Sequence, residues 1–561
     1  MGRVISNSPK RICHSLDGVW EFEPVAATCN DKPSVFNEKL PVPGVWESAF
    51  KYFSYRGQGA YRREFEVVAD KPADLRIVFE AVSHTARVWL DDEFLGEHYG
   101  AHTAFEFYCR DVAPGAHTLT VLADNTFGPH NPLTKATQDV YTYGGIPRPV
   151  CFEILPEVFI AHACATPLKE DDEWHLQVAV RLESMKTNSM PSTAVVTMNE
   201  ERLGEMHIGL DGSGGGIFNV GNVNLWYPSS PSLYTVSVTA GGDVWRERIG
   251  FRTISTQGRK LLLNGEPIVL QGVNRHEFHP DSGSALPPVV HFRDIEILKR
   301  LGANFVRGSH YPNDPLFLDL CDENGILFWE ELSHWQPDAE DMASEAFRRA
   351  SLNEIAEMVG QHRHHPCIIL WGMMNEAETN APVAKETIKL FADRFRELDP
   401  TRLVTYACNH LDDDVALESA DVVSVNLYPG WYGSGLDDVD EAVARTLATL
   451  KSRAPGKPVI FSEFGAAALK GVRSFEPRKW TEDYQSELIR RIVSLAQASG
   501  VVSGAAAWQY CDARTSSDRS LDRPREYNNK GILTENRDPK LAFHALREQF
   551  KKPWAILTDE A

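Results

Sequence analysis

Two glutamates stand where apolar runs end. Glu376 follows CIILWGMMN (367–375), and Glu463 follows PVIFS (458–462). A carboxylate at the end of a buried strand is costly to desolvate unless it is paired or used. Two of them flanking a glycosidic bond can be used together. One protonates the departing oxygen while the other attacks the anomeric carbon, and a separation of roughly 5–5.5 Å gives a covalent intermediate with retention of configuration. Either glutamate alone has a plainer explanation as half of a salt bridge at the rim of a fold.

The elements that would position this pair lie beyond residue 254. Short apolar runs at 267–273, 303–307, 326–331, 367–374, 403–407, 422–428, 458–464 and 504–510 alternate there with helical patterns at 291–301, 345–362, 383–398, 439–452 and 480–499. Eight buried strands with crossover helices over about 300 residues predict a (β/α)8 barrel. Leu301-Gly302 and Ala454-Pro455-Gly456 are helix stops. A barrel carries its chemistry at the C-terminal ends of its strands. At those ends stand Asn274-Arg275-His276-Glu277, Arg307 with His310, Glu330-Glu331, Asn375-Glu376, Asn426 with Tyr428, Ser462-Glu463 and Trp508. Each has an ordinary role as a cap or loop residue, but together they populate one rim.

The first half reads as β structure. Alternating runs at 61–69, 74–80, 86–95, 104–108 and 116–123, parted by Asp91-Asp92 and Pro114-Gly115, predict a β-sandwich. A second β segment over 159–254 has the length and strand spacing of an immunoglobulin-like sandwich, with Gly212–Gly216 as a loop. The chain is therefore expected to be multidomain: a β-sandwich over 1–158, an immunoglobulin-like β-sandwich over 159–254 and a TIM barrel over 255–561.

Composition narrows the partners. The net charge of −21 disfavours phosphate backbones and anionic lipid, so neither nucleic acid nor membrane is expected. Nine scattered cysteines without a CxxC pair argue against a disulfide framework and a structural zinc site. No apolar run reaches the ~18 residues of a membrane span. The opening MGRVISNSPKRICHSLDG lacks the apolar core of a signal peptide, so a cytoplasmic protein is expected. His362, His364 and His365 suit no zinc motif and are read as helix C-terminal residues favoured by the helix dipole.

Several segments carry a resemblance. WGMMNEAE (371–378) resembles the W-x-x-x-N-E acid/base motif of the glycosidase clan built on (β/α)8 barrels, and FSEFG (461–465) resembles its nucleophile motif. LDGVWEF (16–22), VPGVWE (42–47), YGGIPRPV (143–150), LNGEPIVLQGVNRHE (263–277) and RGSHYPND (307–314) match further segments in order. From end to end the chain resembles glycoside hydrolase family 2, in its β-glucuronidase branch. The resemblance implies that the first sandwich is a sugar-binding jelly roll. It implies Glu376 as general acid/base, Glu463 as nucleophile and Asn375 on the sugar's 2-hydroxyl. Tyr428 and Arg307 would hold and polarise Glu463. His276, His310, Asn426, Tyr432 and Trp508 would line the sugar site, and Asp139 would reach it from the first domain. Asn528 and Lys530, in NNKG (528–531), would clamp a uronic acid carboxylate by a charge-assisted contact that a neutral galactoside leaves unused. Negative charge on Glu463 would favour the proton on Glu376, while Arg307 and hydrogen bonds keep Glu463 ionised. Formation of the glycosyl ester would remove that charge and leave Glu376 as base for water.

The chain also departs from the pattern. Ala377-Glu378 stand where Pro-Asp commonly follows the acid, and Leu427 and Pro429 replace more polar or aromatic residues. Residues 332–366 leave no room for the long loop that covers small glucuronides in some bacterial members, which implies a more open site. The substrate expected is a small-molecule or oligosaccharide β-glucuronide, with no cofactor and no metal, and the resemblance implies a homo-oligomer (dimer or tetramer). A β-galacturonidase, a dual uronidase, a β-galactosidase and an inactive carbohydrate-binding protein are the alternatives.

Overall fold

The computed structural model describes residues 10–557 apart from 26–28, 137–138, 187–189 and 520. Residues 1–9, half of the segment read above for a signal peptide, lie outside the described residues.

The first domain is a sandwich of antiparallel strands. One sheet has the order Cys13–Ser15, Val150–Ile154, Ala73–Phe79, Phe105–Val112. The other has the order Glu38–Val42, Gly18–Val25, Gln58–Val67, Gly115–Asp124, Thr85–Leu90, Glu93–Tyr99. Between them lies a core that includes Trp20, Phe22, Trp46, Tyr61, Ile77, Phe79 and Val121.

The second domain shows the period of two most plainly. In Glu173–Glu183, Trp174, Leu176, Val178, Val180 and Leu182 are buried while Gln177, Ala179 and Arg181 face out, the alternation of a half-buried strand. The glycine-rich stretch is not a loop. Ser213–Asn219 is an edge strand paired antiparallel with His175–Arg181. A Cβ on Gly214 would lie 2.4 Å from Ile208 and one on Gly216 3.1 Å from Phe218. The glycines thus leave room for Ile208 from outside the strand and for the Phe218 ring of the strand itself.

The third domain is a closed barrel of eight parallel strands: Leu270–Arg275, Phe305–Gly308, Leu327–Glu331, Ile368–Asn375, Leu403–Cys408, Val423–Asn426, Val459–Glu463 and Gly504–Ala507. They are numbered 1 to 8 below. Strand 4, IILWGMMN, is buried along its whole length, as a strand covered on both faces must be. Among the described residues, three α-helices escape the sequence pattern: Pro315–Asn324, the short Ala339–Ala343 and Leu541–Phe550. The first is short but well bounded. Asp314 caps it through Leu316 N at 2.8 Å, Pro315 opens it, and Gly325 closes it at φ +69°. Gly325 also lets the second domain approach, since a Cβ there would lie 2.1 Å from Pro228 O.

The histidine cluster does more than face a helix dipole. His362 ends the helix Glu345–His362, and its Nδ1 lies 2.8 Å from Glu330 at the end of strand 3. His365 Nδ1 lies 2.6 Å from Asp322. Among the described residues, no helix is long and apolar enough to cross a membrane.

Candidate active site

The barrel closes around one arginine. Arg307, fully buried at the end of strand 2, donates from Nη1 to Glu463 Oε1 at 2.8 Å and to Asn274 Oδ1 at 3.1 Å. Its Nη2 donates to Asn375 Oδ1 at 2.8 Å and to Glu331 Oε1 at 3.0 Å, and its Nε to Glu331 Oε2 at 2.9 Å. Strands 1, 2, 3, 4 and 7 are thereby tied to one planar cation. Only a guanidinium offers enough fixed donors for this.

Both oxygens of Glu463 are held, because Tyr428 Oη donates to Oε2 at 2.6 Å. Burial pushes the Glu463 carboxyl up and Arg307 pulls it down. With the charge of Glu376 nearby, the net lies above the usual carboxylate range. Arg307 and the Tyr428 hydrogen bond, expected to keep Glu463 charged, both act in that direction, against burial; Arg307 is also shared. It and His310 outweigh burial at Glu331, which lies below its ordinary range. Burial and the charge of Glu463 push the Tyr428 phenol well up, so it stays a donor.

Glu376 is joined to this network through amides. Asn426 Nδ2 donates to Glu376 Oε1 at 2.9 Å and to Asn375 Oδ1 at 3.1 Å, while Asn426 Oδ1 accepts from Ser462 Oγ at 2.8 Å. Gln336 Nε2 donates to Glu376 Oε2 at 2.7 Å. Above the pair, Trp508 stacks on His310 with centroids 5.2 Å apart and meets His276 edge-on at 5.3 Å. Burial holds His276 well below the usual histidine range, so it is neutral.

The remaining expected residues form one wall. Lys530 is 1% exposed, and its Nζ donates to Tyr432 Oη at 3.0 Å with the Tyr428, Trp431 and Tyr432 rings at 5.2–5.8 Å. Among the described residues no carboxylate pairs with it. Asn528 Nδ2 donates to Asp139 Oδ2 at 3.0 Å, which brings the first domain to the barrel rim. Arg523 forks onto Asp139 at 2.7 and 2.6 Å. Burial pushes the Asp139 carboxyl up, but Arg523 and the charge of Lys530 hold it below its ordinary range. All thirteen residues singled out in the sequence thus meet at one end of the barrel. Four more that carry the network went unassigned: Asn274, Glu331, Gln336 and Arg523. Glu331 was visible as a strand end, and Arg523 only as one basic residue among several in LDRPREYNNK.

Family models describe the whole architecture. "Glycosyl hydrolases family 2, sugar binding domain" matches residues 13–156, a second family 2 model matches 158–252, and "Glycosyl hydrolases family 2, TIM barrel domain" matches 254–553. The chain belongs to glycosyl hydrolases family 2. It is a glycoside hydrolase, in the β-glucuronidase branch. The β-glucuronidase of Sus scrofa is 28% identical over 91% of this chain and 84% of its own. That of Paenibacillus borealis is 27% identical over 95% and 96%. Among solved structures, a family 2 β-galacturonidase of Eisenbergiella tayi bound to galacturonate is 33% identical, with a TM-score of 0.92 over 99% of this chain and 100% of that one.

Among the described residues, one group gathers side chains of metal-ligand type. Asp319, Asp322 and His365 bring three ligand atoms within 4.8 Å of one another. Their charges are already matched, because Arg248 lies 3.0 Å from Asp319 and His365 lies 2.6 Å from Asp322. Asp322 also accepts from Cys367 N at 2.9 Å, just before the start of strand 4 and so at the opposite end of that strand from Asn375 and Glu376.

Proposed function

We propose that this enzyme is a retaining exo-β-glucuronidase, with Glu463 as nucleophile and Glu376 as acid/base. The observation that carries the substrate class is Lys530. A buried ammonium without a carboxylate partner is costly, and a uronic acid carboxylate entering beside Asn528 would complete the pair. Arg307 and Tyr428 fix the Glu463 carboxylate so that it can attack the anomeric carbon. As that bond forms, the bond to the leaving oxygen breaks, and the leaving oxygen takes its electron pair and the Glu376 proton. Water then gives a proton to Glu376, attacks the same carbon and frees Glu463, restoring the original configuration. Asn375 uses its carbonyl twice within the protein, which leaves its NH2 to hold the sugar's 2-hydroxyl. Its work and that of the Arg307 network need no metal or organic cofactor.

A second reading has specific support. The Eisenbergiella tayi enzyme, bound to galacturonate, is more similar in sequence than the glucuronidases named above. Galacturonides differ at C4 alone, and the Lys530 contact would serve both sugars. Hydrolysis of p-nitrophenyl β-glucuronide, β-galacturonide and β-galactoside tests the proposal. Preference for either uronide over the galactoside supports the Lys530 contact, and the better of the two names the sugar. Preference for the galactoside refutes the uronide reading.

A further inference from the structure

The segment after strand 3 runs on beside strand 4, where Trp335 and Asn375 form an isolated parallel bridge. Leu332 N donates to Gly372 O at 3.1 Å, Asn375 N to His334 O at 2.9 Å, and Gln336 N to Asn375 O at 2.8 Å. This places Gln336 opposite Glu376, and both have left-handed backbones, φ +51° and +50°. Neither is glycine, and Gln336 precedes Pro337. Such conformations are strained for any residue with a side chain and collect where a side chain must be aimed.

The side chains show what is aimed. Asn426 can only donate to Glu376, because its carbonyl is taken by Ser462 and its NH2 also serves Asn375. Each oxygen of Glu376 thus accepts one amide N–H, Oε1 from Asn426 and Oε2 from Gln336, and Oε2 depends on Gln336 for its donor. We infer that Gln336 is a positioning residue for the acid/base, holding Glu376 Oε2 when the proton has left for the glycosidic oxygen and giving it up when water returns one. This rests on the reading of Glu376 as acid/base.

The test uses phenyl and 2,4-dinitrophenyl β-glycosides of the uronic acid the enzyme turns over. Phenolate needs protonation to leave and dinitrophenolate does not. Gln336→Met removes the donor and keeps the bulk. It should lower kcat/KM on the phenyl glycoside about tenfold, leave the dinitrophenyl glycoside within about twofold, and move the alkaline limb of the pH profile up by about one unit. That is the scale of one hydrogen bond to a charged group. Gln336→Glu keeps the shape and should move the limb the same way by like-charge repulsion. Equal losses on both substrates with an unmoved limb would assign Gln336 to structure alone and overturn the inference. Glu376→Gln is measured beside them. If it retains phenyl glycoside activity, the acid/base reading falls and the inference with it. If it is inactive there while both Gln336 variants behave as the parent, the inference alone falls.

Discussion

Replacing Lys530 by Met removes a charge and keeps most of the volume. Lys530 is 1% exposed, with a phenol oxygen 3.0 Å from its Nζ and three aromatic rings beside it. Solvent screening is therefore small. Truncating one partner of a buried hydrogen-bonded charge pair costs about 2–5 kcal/mol. Taking the lower middle of that range, about 3 kcal/mol, kcat/KM on the β-uronide should fall about 150-fold at 1.36 kcal/mol per decade. A neutral β-galactoside has no group for the ammonium, so its slow hydrolysis should be unchanged or faster. The uronide-to-galactoside ratio should thus drop by about two orders of magnitude. Without sugar, loss of an ammonium that has no carboxylate partner should leave the Tm unchanged or raise it. The assay is kcat/KM on both p-nitrophenyl glycosides for parent, Lys530→Met and Lys530→Arg, the last retaining charge. A parallel loss on both sugars, or an undiminished uronide rate in Lys530→Met, would refute the contact.

Glu463→Ala should lower kcat on the order of 10⁴-fold while the thermal transition persists, and substantial residual turnover would remove Glu463 from the nucleophile's place. The acid limb of the pH–rate profile should lie above the ordinary glutamate value. Glu463 must be ionised to attack, and its raised carboxyl takes up its proton at a higher pH as the solution is acidified; a limb at or below about 4.3 would contradict this assignment. Arg307→Met leaves Glu331 and Glu463 buried without their cation and should cost about 3–5 kcal/mol in chemical denaturation. Gly360 lies within the helix Glu345–His362, and a methyl group on its Cα would meet nothing within 4 Å, so Gly360→Ala should stabilise by about 0.5–1 kcal/mol and raise the Tm.

The strands and the two glutamates are legible in sequence because burial imposes composition. IILWGMMN must be apolar throughout to run between the barrel interior and its helices, and the polar residue that ends it stands out. Helix Pro315–Asn324 is harder to see. Its ten residues give less than three turns of pattern, and its ends are marked by Asp314, Pro315 and Gly325 rather than by periodicity. Gly214–Gly216 mislead because glycine reads as a turn residue, while here its missing side chain makes room for Ile208 and Phe218. The residues that organise the site from a distance are the least legible. Gln336 matters through a backbone register with Asn375, and Arg523 through a carboxylate 384 positions away. No local spacing announces either.

The bond between Asn528 and Asp139 joins residues 389 positions apart that belong to separately cored domains. The wall beside Lys530 is therefore written in two places along the gene, and neither part holds it alone. A barrel cut free at residue 254 would keep both glutamates and Arg307 but lose one side of the pocket. Shuffling of the amino-terminal sandwich between relatives is constrained accordingly: an exchanged domain must bring a carboxylate to Arg523 and Asn528, or the new combination leaves an arginine at the mouth of the pocket without its mate.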